Sequence, residues 1–348
     1  MEMNEEEREL FKEYILNFIS LYSDVNLLSI AKSCVEIIYN FDKGYINTWP
    51  KLIEKLHFII NKNFQIIYKN NSLFINNQFE NESFYESHMK ISRTNCFIYD
   101  LISSLTERYT FEFRSDPLFL EILDCMQINE VITSSAEFYI SEIEVFLKNA
   151  NKLNSSHCLF NVIEVYLNSL KHIINIAYNF NYQDFPEFYE DNLSRWINIL
   201  MFSLNLITCD YSKDFCEVGL AAFNMWIKYV SSYYSDIVEY YKSFIDPIWK
   251  LLVDFNNKLS NSVYLKANKE KIMDSFIEFY KIIISFRRTP LLEINVEQLI
   301  STLVFPNLNA TNKELEDLED NVVNYVKLEL QESDDSSSKY IKITLILN

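Results

Sequence analysis

The chain has 348 residues, 49% hydrophobic and 16% aromatic, which is enough apolar surface for a large folded core. Its formal net charge of -18 disfavours nucleic-acid phosphates and acidic membrane surfaces, and no apolar run reaches the ~18 residues that span a bilayer. Only two glycines and six prolines are present, too few for the many tight turns of a sheet protein. The acidic start, Met1 to Arg8, is unlike a signal peptide and predicts an intracellular protein.

Apolar residues three and four positions apart indicate amphipathic helices along most of the chain. The first helix is predicted around Leu10 to Phe18 and the second around Leu27 to Ile38, with Asn4 and Asp24 as their N-caps. Further helices are predicted over residues 50–60, 92–109, 117–126, 134–147, 156–178, 186–207, 215–234, 236–259, 268–286 and 296–304.

These helices recur as hairpins roughly every 40 residues, joined by short polar links. Each hairpin needs neighbours to bury its remaining apolar faces, so the pattern predicts an all-α, HEAT-repeat-type right-handed superhelix, or solenoid, over residues 1–311. A single globular helical domain is the alternative, because periodicity identifies helices and not how they stack.

Three segments interrupt the helical pattern. Residues 61–86 are rich in asparagine and are interpreted as a poorly ordered insertion. Residues 312–338 form an acidic insertion that contains one short apolar helix around Val322 to Leu328. Residues 339–348 alternate and then become β-branched, which predicts an atypical tail.

The sequence contains no pattern that supports an enzyme. Two glycines as far apart as Gly44 and Gly219 cannot build a phosphate-binding loop, and the four histidines form no HExxH motif. The six cysteines are scattered, which favours reduced, buried thiols over disulfides or a zinc site. We therefore predict no catalytic residue, no cofactor and no metal.

Two residue clusters have a structural and a chemical interpretation. Glu187, Glu190 and Asp191 could act as acid–base groups, but acidic residues at a helix start usually stabilise the helix dipole. The tyrosines between Tyr229 and Tyr241 have helical spacing and lack positive neighbours, so they are predicted to pack in the core rather than stack on bases.

Two stretches resemble a known family. Residues 180–196, FNYQDFPEFYEDNLSRW, are similar to the QDxPEFFEDN segment of the CAS-type exportins, members of the importin-β superfamily. Residues 305–335 resemble the same family's acidic insertion without gaps, although Lys327 and Leu328 replace two arginines and Glu332 replaces a glycine. Weaker similarities extend over nearly the whole chain.

The resemblance implies a monomeric receptor that shuttles between nucleus and cytoplasm and binds importin-α together with Ran in its GTP form. It also implies that the chain is an internal fragment from the N-terminal half of such a receptor. A HEAT-repeat scaffold that does not depend on Ran is the alternative function. The acidic insertion is expected to contact Ran through the following residues: Glu314, Glu316, Asp317, Glu319, Asp320, Tyr325, Asp334 and Asp335.

The 180–196 motif is expected to form a structural elbow. Asp184 is suited to cap a helix that begins at Pro186, while Trp196 lies where it would pack inward. The residues assigned to this elbow are Asp184, Pro186, Glu187, Phe188, Glu190, Asp191, Asn192 and Trp196.

Overall fold

The structure is a computed structural model. It describes residues 5–21, 24–41, 49, 51–69, 82–107, 120–122, 124, 130–149, 157–180, 190–233, 240–285 and 296–304. None of these residues lies in a β-strand, which confirms the predicted all-α class. The chain divides into two compact units, Met1–Ile199 and Leu200–Asn348.

The first unit is built from helices that pack on one another along the chain, α4 on α6 and α5 on α6 among them. Its helices are α1 (Glu5–Leu21), α2 (Val25–Phe41), α3 (Leu52–Lys69), α4 (Glu82–Thr106), α5 (Val131–Asn149), α6 (His157–Phe180) and the start of α7 (Leu193–Asn205).

The second helix begins where its capping residue was predicted. The Asp24 carboxylate accepts hydrogen bonds from the backbone N–H groups of Asn26, at 2.9 Å, and Leu27, at 3.2 Å. These bonds satisfy two of the N–H groups that a helix start leaves without partners. The other predicted cap, Asn4, lies outside the described residues.

Helix α3 continues through the first part of the asparagine-rich range. It ends at Lys69, and α4 already begins at Glu82, so helical structure enters residues 61–86 from both ends. Ile67 is buried and the Phe64 ring lies edge-on to Phe138 with centroids 5.6 Å apart. Apolar contacts at helical spacing therefore outweigh the weak helix propensity of asparagine here.

The start of α3 is capped by a residue distant in sequence. Glu121 Oε1 accepts the backbone N–H groups of Ile53, at 3.0 Å, and Glu54, at 3.2 Å. Burial raises the pKa of the Glu121 carboxyl, an effect that these hydrogen bonds oppose. The carboxylate fills the role of an N-cap because Lys51, which precedes the helix with a φ of 64°, has no side-chain acceptor of its own.

The core of the first unit contains a cluster of buried aromatic side chains from three helices. The rings of Tyr99 on α4, Tyr139 on α5 and Tyr166 on α6 follow one another, with centroids 6.5 Å and 4.9 Å apart. All three side chains are fully buried. Such large aromatic side chains supply much of the apolar area that joins these helices.

The second unit is also entirely helical in its described part. It contains a 3₁₀ turn (Leu206–Thr208), α8 (Lys213–Ser232), α9 (Tyr241–Leu259), α10 (Val263–Ala267), α11 (Lys269–Ser285), α12 (Val296–Leu299) and a π-helical turn (Ile300–Val304). Helix α8 packs on α11, where the Phe223 and Phe276 rings meet edge-on at 4.8 Å.

Tyr229 and Tyr233 lie in this second core. Tyr229 has no exposed surface and Tyr233 is 2% exposed, with their ring centroids 6.2 Å apart. This confirms that they pack, as their helical spacing predicts. Tyr234 lies outside the described residues.

Gly219 marks a close approach of α8 to the 3₁₀ turn. A Cβ atom at this position would lie 2.3 Å from Ile207 Cγ1 and 2.9 Å from the Ile207 backbone nitrogen. Because a backbone atom is part of this contact, a rotamer change alone would not relieve it. Position 219 therefore holds glycine where a side chain would not fit.

Candidate partner-binding segment and elbow

The structure places only part of the predicted site. The Ran-contacting residues of the acidic insertion, from Glu314 to Asp335, lie outside the described residues, and so do Asp184, Pro186, Glu187 and Phe188 of the elbow. The predicted helix start at Pro186 and the tail 339–348 lie outside them as well. The roles given to these residues stay predictions.

The described end of the elbow leads into α7. Glu190 and Asp191 are exposed, whereas Leu193 and Trp196 are buried, so the polar and apolar residues separate onto opposite sides. The Asn192 carbonyl accepts the backbone N–H groups of Arg195, at 3.0 Å, and Trp196, at 3.1 Å. Trp196 is therefore buried near the start of α7, and the elbow expected over the motif stays a prediction.

Arg195 connects the elbow to helix α5. Its Nε and Nη2 donate to the two carboxylate oxygens of Glu137, at 2.8 Å and 2.7 Å. Its Nη1 donates to Glu130, at 2.8 Å, and to Asn192 Oδ1, at 3.2 Å. The pairing with Glu137 is bidentate, the geometry in which a planar guanidinium binds a carboxylate most strongly.

The charges around Arg195 reinforce one another. The hydrogen bond to Glu137 raises the pKa of the Arg195 guanidinium above its ordinary value, with a further contribution from Glu130, while partial burial lowers it. Arg195 is 30% exposed, so water screens part of this attraction. The network orients the start of α7.

Sequence reasoning did not identify the Arg195 network. Arg195 lies inside the 180–196 motif, but its partners Glu130 and Glu137 are 65 and 58 residues away in the sequence. Glu137 lies on α5, whereas Glu130 precedes the helix with a positive φ of 46°, so helical spacing gives no local signal for the pair. A partner across two helices cannot be assigned from that spacing.

A second polar cluster joins three helices of the first unit. Lys32 Nζ on α2 lies 2.6 Å from Asp100 Oδ2 on α4, and His172 Nδ1 on α6 lies 3.5 Å from Asp100 Oδ1. Burial lowers the pKa of His172 to about 4, and the attraction of Asp100 only partly opposes this. The neutral imidazole and the ion pair are best explained as a structural contact between the helices.

His88 also has structural surroundings. His88 Nε2 lies 2.6 Å from the Tyr166 hydroxyl, and burial lowers the pKa of His88 to about 4. Within the described part of the chain, no group of three or more His, Cys, Asp or Glu side chains is placed to hold a metal ion. Cys34, Cys96, Cys209 and Cys216 are free cysteines, and of these Cys216 is buried.

The similarity to known proteins covers most of the chain. The family model of Cse1 matches residues 105–347, which is more than half of the sequence and includes both the 180–196 motif and the acidic insertion. The chain belongs to the Cse1 family. This confirms the resemblance on which the sequence analysis relied.

Proteins named Exportin-2 are also similar to this chain in sequence. The proteins from Oreochromis niloticus and Homo sapiens are each 26% identical to the chain over 240 residues, covering 66% of it and 23% of their own length. The chain therefore spans under a quarter of the length of these curated Cse1 relatives.

A solved Cse1 structure shares the fold. The exportin Cse1 in its cargo-free, cytoplasmic state aligns with a TM-score of 0.65 over 99% of this chain and 33% of the solved chain, at 19% identity. At this identity the likeness establishes the fold alone, and it confirms the all-α HEAT solenoid.

No helix among the residues placed by the structure is long and apolar enough to cross a bilayer.

Proposed function

We propose that this chain is a segment of a nuclear transport receptor that binds importin-α as export cargo together with Ran in its GTP form. The observation that carries the proposal is the Cse1 match over residues 105–347, because it includes the acidic insertion with Glu319 and Asp320. The relatives that bear the name Exportin-2 support the same function. Such a receptor shuttles between nucleus and cytoplasm, and no enzymatic step is part of the proposal.

The charge of the chain supports a basic partner. A net charge of -18 attracts positively charged protein segments at long range and repels nucleic acid. Importin-α carries a basic arm of this kind. The association should therefore weaken as added salt shortens the screening length, which is about 8 Å at physiological ionic strength.

The acidic insertion is the segment proposed to contact Ran. Its negative residues flank the apolar series Val322, Tyr325, Val326 and Leu330, whose spacing of three, one and four fits one face of a short helix. In this proposal the apolar face anchors the segment, and Glu319 and Asp320 pair with basic residues of Ran. The remaining acidic residues of the segment supply the surrounding negative potential.

A pull-down tests the function. The 348-residue chain is incubated with immobilised Ran loaded with a non-hydrolysable GTP analogue or with GDP, with and without importin-α. We expect retention on the GTP form that importin-α increases, because cargo and Ran bind together. Equal retention on both forms, or none on either, would contradict the proposal and favour the Ran-independent scaffold.

Charge reversal tests the insertion. The double substitution Glu319→Lys and Asp320→Lys should weaken Ran binding about tenfold or more, since it replaces two attractive pairs by repulsive ones. The control reverses two exposed acidic residues elsewhere, Glu86→Lys and Asp254→Lys, with the same change in net charge. Equal loss in both variants would reduce the effect to general electrostatics, and unchanged affinity in the first would remove the insertion from the interface.

A further inference from the structure

A cleft of about 950 Å³ lies between α1 and α3 in the first unit. Its walls carry the exposed side chains of Lys55, Phe58 and Lys62 on α3, of Lys51 just before α3, and of α1 residues that include Leu21. The cleft is far from the 180–196 motif in sequence, and the function proposed above does not use it.

The cleft is lined by three lysines and two glutamates, Glu13 and Glu54, in a strongly acidic protein. Lys55, Phe58 and Lys62 are spaced by three and four residues, which places them along one side of α3, and Lys51 directly precedes the helix. Lys51 Nζ lies 3.7 Å from the Glu54 carboxylate. Lys55 and Lys62 form no ion pair with any residue that the structure places, so their ammonium groups are available to an external anion.

The same cleft exposes large apolar side chains. Phe58 is 71% exposed and lies between Lys55 and Lys62 along α3, and Leu21 of α1 is 60% exposed. An isolated exposed apolar residue is ordinary, but two that line one concavity offer apolar area to a ligand. A ligand that fits here combines negative charge with a bulky apolar group.

His57 provides the observation that separates a built site from a charged surface. It lines the cleft at only 3% exposure, and neither ring nitrogen has a hydrogen-bond partner within the described part of the protein. Burial lowers the pKa of His57 to about 4, so the ring is neutral at pH 7 and presents one donor and one acceptor. A buried polar group without a partner is unfavourable, and a ligand group that reaches it would remove this penalty.

The dimensions of the cleft favour a short peptide. From Lys55 to Lys62 the helix rises roughly 10 Å, at 1.5 Å per residue. In an extended peptide, side chains two positions apart point to the same side, and about three to four residues cover this distance. Acidic residues four positions apart with an apolar residue midway would face both lysines and Phe58.

We propose that the cleft between α1 and α3 binds an extended acidic peptide with the alternating pattern acid, any residue, bulky apolar residue, any residue, acid. The carboxylates pair with Lys55 and Lys62, the apolar side chain covers Phe58 and Leu21, and a backbone amide of the peptide pairs with His57. Nucleic acid and anionic membranes also carry negative charge, but they would meet the net charge of -18 over a long surface, whereas a short peptide meets only the cleft, whose three lysines outnumber its two glutamates, Glu13 and Glu54.

Fluorescence anisotropy tests the proposal with the complete 348-residue chain. The probe is a labelled peptide, Ser-Asp-Ser-Phe-Ser-Asp-Ser, and the reference peptide has lysine in place of both aspartates. We expect saturable binding of the acidic probe, weaker at high salt, and at least about tenfold weaker binding of the reference. Equal binding of both peptides, or no binding of the acidic one, would overturn the proposal.

Protein variants locate the site. The double substitution Lys55→Glu and Lys62→Glu should weaken probe binding about tenfold, since two exposed pairs are lost and replaced by repulsion. The matched control, Lys250→Glu and Lys266→Glu, changes two exposed lysines of the second unit and should retain affinity within about twofold. Equal losses in both variants would contradict a local site.

Two further variants separate ligand contact from stability. Phe58→Ala removes a side chain that is mostly exposed, so the melting temperature should hold while probe affinity falls about fivefold. His57→Leu removes the buried imidazole and should weaken the probe about threefold without unfolding the chain. Unchanged affinity in both variants would overturn the site, as would tighter binding of single-stranded RNA or phosphatidylserine vesicles that the lysine variant abolishes.

Discussion

Trp196 is expected to stabilise the fold through the burial of its side chain. It lies on α7 and has no exposed surface, so its indole is completely enclosed in the folded chain. Truncating this side chain would leave a cavity of the size of the indole, which the neighbouring side chains cannot fill completely. Loss of the ring therefore removes both the hydrophobic transfer free energy and the contacts of the indole with its neighbours.

Trp196→Ala should lower the free energy of unfolding by about 3 to 5 kcal/mol. Urea unfolding followed by circular dichroism measures this. Trp196→Phe, the matched control, keeps an aromatic ring and should lose markedly less. An alanine variant with an unchanged midpoint would show that the indole contributes nothing to the elbow.

Because it has no side chain, Gly219 allows α8 and the 3₁₀ turn to approach each other closely. Alanine favours a helix over glycine by about 1 kcal/mol, which would stabilise α8 if space allowed. The added methyl group would however meet Ile207 Cγ1 at 2.3 Å and its backbone nitrogen at 2.9 Å. We expect the clash to outweigh the propensity, because the 3₁₀ turn must move as a whole.

Gly219→Ala should therefore destabilise the chain by about 1 to 3 kcal/mol, measured by thermal unfolding. Ala221→Gly, on the same helix at a half-buried position, should cost only about 1 kcal/mol through propensity. A stabilised Gly219→Ala variant would mean that the turn moves freely relative to α8.

Arg195 joins two elements through exposed charges. The Glu137 and Glu130 side chains are 43% and 53% exposed, so each pair contributes little by itself despite its short distances. A double-mutant cycle with Arg195→Ala and Glu137→Ala should give a coupling of roughly 0.5 to 1 kcal/mol. A second cycle with Lys148→Ala and Glu144→Ala, a pair within one helix, should give a smaller coupling free energy. Equal coupling free energies in the two cycles would show that the bidentate geometry adds nothing.

Elements whose signal is local could be predicted from the sequence. Apolar spacing located most helices, and the single carboxylate of Asp24 identified the start of α2. Helix α3 was predicted too short, because asparagine favours turns and the contact of Phe64 with Phe138 is not visible in the local pattern. The Arg195 network, the cap from Glu121 and the cleft beside His57 all depend on residues that only the fold brings together.

The stability of the whole molecule should depend on pH through its buried histidines. Burial lowers the pKa of His57, His88 and His172 from 6.5 to about 4. Between these values the unfolded chain binds more protons than the folded one, so the free energy of unfolding decreases as the pH falls. The stabilisation is complete above pH 6.5 and is lost progressively toward pH 4.

Unfolding at pH 6.5 and at pH 5 should show this loss, with up to roughly 2 kcal/mol from each histidine over that interval. His57→Leu is the cleanest comparison, because it removes a titrating group without removing a protein hydrogen bond. The variant should depend less steeply on pH than the unsubstituted chain. An identical slope would show that His57 is not buried as a neutral ring.

The cap that Glu121 places on α3 also concerns the order in which the protein is made. Translation proceeds from the N-terminus, so residues 52–69 leave the ribosome long before the carboxylate that accepts the N–H groups of Ile53 and Glu54 has been synthesised. During that interval the N–H groups of Ile53 and Glu54 lack this acceptor. The first turn of α3 is therefore expected to become stable only after Glu121 has been synthesised and has left the ribosome.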